Sequence, residues 1–185
     1  MVAGPVLKTE RLILRPIAPS DADIHFKCMR DWNIVRFFAK GFPHPYPDGA
    51  SAAFIEKVNS AENPVIYWAI ALQAKPERLV GSAELRPHRD EGQRGFWMDS
   101  DYHNQGIMTE TLYAVNDYWF ETLDRTSLHM ANAVGNAASR RVKEKTGATF
   151  LGTRQDPHVD PDLNEIELWH LSRDDWRLFK KKNSS

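Results

Sequence analysis

The chain has only one cysteine, Cys28, among 185 residues. No internal disulfide is available and no Cys-rich zinc site can be assembled, so no metal ligand set is expected and a reducing, cytoplasmic setting is the simplest reading. Net charge is also nearly absent. The 24 basic and 25 acidic side chains leave a formal charge of -1, so no broad field draws a nucleic-acid backbone or an anionic membrane surface. There is no long apolar run, and a Gly-Pro break interrupts Met1 to Lys8, which excludes a signal peptide or membrane span there. Internal repeats, low-complexity tracts and linkers are missing too. The length suits one domain, expected over 1–185.

What is present suits a folded soluble chain: 42% hydrophobic and 11% aromatic residues supply a core, and 26% charged residues argue against disorder. Arg11 to Arg15 alternates like a half-exposed strand and stops at Pro16 and Pro19. Ser20 or Asp21 caps a helix running to Asp31. Three prolines and two glycines between Gly41 and Gly49 exclude regular structure, and aromatic-bearing loops of this kind commonly line binding sites. A second helix is expected over Ala50 to Ala61. An antiparallel meander should follow through Ile66–Leu72, Leu79–Leu85 and Gly95–Met98. Met108, Leu112, Val115 and Trp119 fall on one stripe of a long helix from Ile107 to Leu123. Strand, helix and strand are then read at Thr126–Ala131, Asn136–Thr146 and Ala148–Gly152, with Gly147 stopping the helix. A last alternating segment spans Ile166–Leu171, and Lys180-Lys181-Lys182 reads as a solvated tail.

The chemistry concentrates where the Phe96-Trp97-Met98 strand turns through Asp99–Gln105 into the helix beginning Gly106-Ile107-Met108-Thr109-Glu110. A strand, a tight turn and a helix N-terminus gather unpaired N–H groups at the positive end of a dipole, which makes a ready anion site. Gly106 lets a phosphate approach the backbone. Neither a G-x-G-x-x-G nor a P-loop Gly-Lys-Ser/Thr is present, so Rossmann and NTPase sites are excluded.

The segments Gly95–Asp99 and His103–Glu110 resemble the acetyl-CoA-binding segment of the GCN5-related N-acetyltransferases, in the branch of the ribosomal-protein N-terminal acetyltransferases. Asn136 to Ala148 is similar to that family's later N-x-x-S-x-x-x-x-x-K-x-G segment. Thr9–Arg15 looks like its opening strand, and Ile166 to Trp176 like its closing one. The resemblance implies an α/β (α+β) chain with the acyl-CoA N-acyltransferase fold: a mixed, centrally splayed sheet of about seven strands with about four helices. It implies acetyl-CoA as cosubstrate and direct attack by a primary amine, without a covalent enzyme intermediate. Gln105, Gly106, Ile107, Met108 and Thr109 would hold the pyrophosphate, and Asn136 would hydrogen-bond the cofactor. A backbone N–H near Met98 or Asp99 would polarise the thioester carbonyl. Ser139 would protonate the thiolate.

The amine must also lose a proton. At pH 7 this costs about 1 kcal/mol for an α-amine and about 4–5 kcal/mol for a lysine, so the second needs the stronger base. Many relatives carry Glu where this chain has Gln93; Glu84 is the first substitute, with Asp99, His103 or a water chain behind it. Trp32, Phe37, Phe38 and Tyr46 are candidates to line the acceptor cleft. A basic acceptor would need a local acidic patch, for which Asp99, Asp101, Asp156, Asp160 and Asp162 are the candidates. A protein N-terminal amine ranks above small amines such as polyamines, amino acids or antibiotics. A non-catalytic CoA-binding module is the rival reading. No nucleic acid or membrane partner is expected, and a homodimer is compatible with the sequence.

Overall fold

The computed structural model describes residues 4–183. A short antiparallel pair, β1 (Leu7–Lys8) and β2 (Leu12–Arg15), leads through a 3-10 turn into helix α1 (Ala22–Met29) and the single turn α2 (Trp32–Val35). The Gly41–Gly49 loop precedes α3 (Ala50–Asn59). Strands β3 (Ile66–Leu72), β4 (Gly81–Leu85) and β5 (Arg94–Met98) form the expected meander and extend the first sheet to the order β1-β2-β3-β4-β5. Helix α4 (Ile107–Asp117) continues as a π turn through Thr122. Then come β6 (Ser127–Ala133), α5 (Ala137–Glu144), β7 (Thr149–Gln155), β8 (Glu165–Ser172) and α6 (Arg173–Asn183). The second sheet has the order β6-β8-β7. The splayed sheet is thus realised as two antiparallel sheets, with eight strands and six α-helices among the described residues.

Two cores explain why β3 reads as a continuous apolar run, since a strand covered on both faces has no polar side. Ile66, Trp68 and Ile70 join Leu12, Leu14, Ala83, Leu85 and the α4 residues Leu112 and Val115 on one face. Tyr67 and Ala69 join Trp97, Cys28, Met29 and Ile55 of α1 and α3 on the other. Each fully buried large apolar side chain contributes on the order of 2–3 kcal/mol, so Trp68, Trp119 and Trp176 are among the principal anchors.

The C-terminal expectations need correction. The closing strand stops at Ser172, whose Oγ accepts from the Asp175 N–H and starts a helix, so the Lys180–Lys182 tail is its last turn rather than a loose end. Trp176 is fully buried on that helix, packs edge-on against Tyr113 at 5.3 Å and donates to Asp117.

Between α1 and α3, His25 is 2% exposed, shares a hydrogen bond with Ser51 Oγ at 2.9 Å and stacks on Phe54. Burial pulls its pKa down to about 4, with Asp21 opposing weakly. Below pH 6.5 the unfolded chain binds a proton that the folded chain refuses until about pH 4, so stability falls as pH drops through that window. By pH 5 the loss attributable to this residue should reach about 2 kcal/mol. Urea unfolding at pH 7.5 and pH 5 should therefore show a smaller acid-induced loss for His25→Gln than for the wild type. Parallel losses would show that His25 titrates normally.

Candidate active site

The two sheets share a core and are hydrogen-bonded to each other at Gln93 and His129. The Gln93 N–H donates to the His129 carbonyl at 2.9 Å, while the Gln93 side-chain Oε1 accepts from the His129 N–H at 2.7 Å. Gln93 Nε2 is itself held by the Arg89 carbonyl. The side-chain amide thus stands in for a peptide unit at the mouth of the splay. Beyond Gln93, β5 is the edge of its sheet. The Asp99 N–H donates across to Val80 on the β4 side. Because neighbouring N–H groups of a strand point to opposite edges, the Met98 N–H faces the gap. This divides the expected pair: the Asp99 N–H is spent in the sheet, and only that of Met98 is available to polarise a carbonyl.

At the far end of the same edge lies the start of α4. Gly106 occupies its N-cap at φ 77°, a left-handed conformation, and Asn104 precedes it at φ 59°. No side chain caps the helix, and its first backbone bond is from the Glu110 N–H to the Gly106 carbonyl. The N–H groups of Ile107, Met108 and Thr109 are therefore uncapped. A cation that sequence reasoning missed sits beside them. Arg11 donates to the Gln105 carbonyl and to Glu110, and its Nη2 lies 3.4 Å from where a Gly106 Cβ would be. Burial pushes the Glu110 carboxyl up, but hydrogen bonds from Thr9 and Arg11 outweigh it and hold the carboxyl below its ordinary value. The Thr-Glu-Arg sequence at 9–11 was legible as strand, not as the clamp on this helix.

Helix α5 forms the opposite wall. Asn136 caps it, its Oδ1 accepting from the Ser139 N–H at 3.0 Å, so that oxygen serves the fold. Ser139 is buried, and its Oγ accepts from Lys143 Nζ at 2.8 Å, one helical turn on. Lys143, which drew no attention in the sequence, is 1% exposed and lies over the Phe96 ring of β5 at 5.6 Å, tying the two walls together. Burial, aided by nearby Arg94, holds its pKa well below the ordinary value against the pull of Glu167.

Glu84, on β4, lies across from Gly95 on β5 and Tyr67 on β3. Its carboxylate pairs with Arg86. A Cβ on Gly95 would come 2.6 Å from Glu84 Oε1 and 2.9 Å from Arg86 Nη2, so this glycine is needed for close approach. Burial raises the Glu84 pKa, with Arg86 and Arg89 opposing.

The other candidates scatter. The Asp99 carboxylate pairs with Lys27 at 3.1 Å, and Asp101 with the same Lys27 at 3.3 Å. Asp160 is held by Arg36 at 2.6 Å, while Asp156 lies 4.0 Å from Arg154. Asp160 Oδ1 also accepts from the Asp162 N–H. The expected acidic patch is thus largely neutralised by its neighbours. His103 Nε2 is 3.1 Å from the Met98 carbonyl, where it braces the turn. Tyr46 stacks on Phe42 inside the second core, whereas Trp32 is 39% exposed beside His44. Phe37 lies under the Arg36 guanidinium, and Phe38 meets Phe42 edge-on.

Residues 11–149 match the family model described as an acetyltransferase (GNAT) domain. The N-acetyltransferase YoaA of Bacillus subtilis (strain 168), itself named as uncharacterized, is 24% identical over 145 residues, which cover 77% of this chain and 82% of that one. A GNAT-family acetyltransferase from Bacillus anthracis has a TM-score of 0.78 at 20% identity, covering 92% of this chain and 99% of its own. RimL, a ribosomal L7/L12 alpha-N-protein acetyltransferase in complex with coenzyme A, has a TM-score of 0.77 at 16% identity, covering 92% and 99%.

A branched side chain at Gly106 would meet both a left-handed backbone and the space before the uncapped N–H groups. Gly106→Val should destabilise the fold by about 1–2 kcal/mol and weaken coenzyme A binding at least about 100-fold, whereas Gly106→Asn, which tolerates that conformation, should fold normally. Calorimetric titration with coenzyme A checks this; retained affinity in the valine variant would move the phosphate site elsewhere.

Proposed function

The chain belongs to the GNAT acetyltransferase family and is an acetyl-CoA-dependent N-acetyltransferase; we propose that its acceptor is a protein N-terminal amine and that Ser139 and Glu84 carry the proton transfers. Bound acetyl-CoA supplies an activated acetyl thioester. The observation that carries this reading is a continuous donor track: the uncapped N–H groups of α4, the unpaired edge of β5 with its Met98 N–H, and Ser139 on the facing helix. The residues fit an extended anionic cofactor. Gly106 keeps the helix start clear, Arg11 adds a positive charge beside it, and an open strand edge offers the backbone partners that amides require.

In this scheme the backbone of Gln105 to Thr109 holds the pyrophosphate, and the Asn136 side-chain amide retains its N–H donors for the cofactor. The Met98 N–H polarises the thioester carbonyl. Ser139 Oγ already accepts from Lys143, so its own proton is free to point to the departing sulfur, whose pKa of about 8.5 calls for a proton at neutral pH. Glu84 receives the amine's proton. Burial makes it a stronger base and Arg86 moderates it, a combination suited to an α-amine of pKa about 7.7–8.0 rather than to a lysine of about 10.4. RimL, whose fold this chain shares, is named for such an acceptor. A cytoplasmic location fits a reduced cysteine and this chemistry. Among the described residues no helix is long and apolar enough to cross a membrane.

Ser139→Ala should lower kcat at least about tenfold with acetyl-CoA affinity within about threefold of wild type. Glu84→Gln should lower kcat/KM most at low pH, where the amine is protonated, and less as pH rises past the amine's own pKa. Thiol release measured over a panel of peptides and small amines ranks the acceptors. Turnover of polyamines or amino acids alone would replace the peptide reading, and unchanged kcat in Ser139→Ala would remove that residue from the acid role.

A further inference from the structure

Behind the proposed acyl end of the track lies a buried polar cluster that acetyl transfer does not use. Arg94 is 4% exposed, and its one hydrogen-bond partner is the neutral Asn116, which accepts from Nη1. Arg94 Nε and Nη2 and the Asn116 Nδ2 are buried without an acceptor among the described residues. Burial pulls the guanidinium down to about 9, which leaves it charged at neutral pH. Lys143, the second buried basic side chain, has Ser139 as its hydrogen-bond partner. The nearby buried carboxylate, Glu167, is committed elsewhere: Oε1 accepts from Arg140 at 2.7 Å, and Oε2 from Asn132 at 2.9 Å and Trp169 at 3.2 Å. Neither Arg94 nor Lys143 has a salt-bridge partner among the described residues.

A buried guanidinium with open N–H groups lacks the anion that would offset its desolvation. Its position says where that anion enters. Arg94 leaves β5 two residues before Phe96 and on the same face, and Lys143 Nζ sits over Phe96 and 2.8 Å from Ser139 Oγ. The two basic side chains therefore border the place where, on the reading above, Ser139 meets the thioester sulfur. Phosphates of coenzyme A belong at the other end of the track, at the start of α4. An acetyl group would bring only a methyl toward these N–H groups.

We infer that Arg94 and Asn116, with Lys143 beside them, form a carboxylate pocket at the acyl end of the channel, so that acyl-CoA thioesters of dicarboxylic acids are donors as well as acetyl-CoA. The inference rests on the cofactor placement proposed above. The transfer itself keeps its balance: the amine nitrogen forms a bond to the thioester carbon, the carbon–sulfur bond breaks, one amine proton is lost and one is gained by sulfur. The distal carboxylate is unchanged and stays on Arg94. Chain length is set by reach, so malonyl and succinyl groups are the two cases to compare.

The test is binding, by calorimetry and by thermal shift, of acetyl-CoA, malonyl-CoA, succinyl-CoA and free succinate to the wild-type chain and to Arg94→Met. Charge-assisted hydrogen bonds should make the better of the two dicarboxylic thioesters bind about ten- to a hundredfold tighter than acetyl-CoA, with free succinate weak. Arg94→Met should bring the thioesters to within about threefold of one another while being at least as thermostable without ligand, because an uncompensated buried charge has been removed. Mass spectrometry of the amine product then identifies the acyl group transferred. Wild-type affinity for acetyl-CoA equal to or above that for both dicarboxylic thioesters overturns the pocket and leaves the acetyltransferase reading standing. Failure of every thioester to bind removes both.

Discussion

The whole arrangement depends on a gap in a sheet that is prevented from closing. Exposed strand edges are normally paired, covered or charged, because free N–H and C=O groups invite another strand. Here β5 and β6 are joined at Gln93 and His129 and diverge, leaving β5 an edge. The stitch uses a side-chain amide where a peptide would otherwise continue the ladder, so pairing ends at that point instead of zipping onward. Helices α4 and α5 then wall the gap, and Lys143 spans it to reach Phe96. An edge that would be a liability in an isolated sheet becomes a row of donors inside a cleft.

Charge in this protein works by position rather than by sum. The sequence is almost neutral, yet the cleft is electropositive at both ends. At the outer end the polarity comes from the uncapped N–H groups of α4, with Arg11 beside them but partly spent on Glu110. At the inner end it comes from the Arg94 guanidinium, buried near Lys143, whose own charge burial and Arg94 both disfavour. Composition reads none of this, since the acids that balance these cations lie elsewhere on the surface. The acids proposed for an acceptor patch show the same effect in reverse. Asp99, Asp101 and Asp160 are paired with Lys27 and Arg36, so their local field is small.

Much of the fold was legible because its elements have strong periodic signals. The α4 stripe, the meander and the Gly147 stop were readable from spacing alone, and the terminal helix was missed although Ser172-Arg173-Asp174-Asp175 carries a capping pattern. The alternation itself ends at Leu171, and it was the likeness to the family's closing strand that carried the reading too far, to Trp176. Local geometry was legible where it lies in the backbone, as in the left-handed N-cap at Gly106, and the burial of Ser139 beside Lys143 came only from the fold. The site was not legible where tertiary packing decides a role. Arg94 and Lys143 occur in charged or mixed stretches that normally face water, and only the fold places them inside. Gln93 appeared as a lost base, but its partners show it as the stitch.

That substitution bears on how the reaction is tuned. A glutamate at position 93 would have no donor for the Arg89 carbonyl, while the amide satisfies both that carbonyl and the His129 N–H. On the proposed reading the proton acceptor is Glu84, one strand inward, and Gly95 gives its side chain room over β5. Arg86 comes with it, because a carboxylate removed from water needs a partner. The pair is a compromise: burial raises the Glu84 pKa and so strengthens it as a base, while the Arg86 guanidinium opposes that rise. An acceptor that is already partly deprotonated at pH 7 loses little by that exchange. A lysine side chain, with about 4–5 kcal/mol still to be overcome, would lose the most, so on the proposed reading the Glu84–Arg86 pair would favour an α-amine over a lysine.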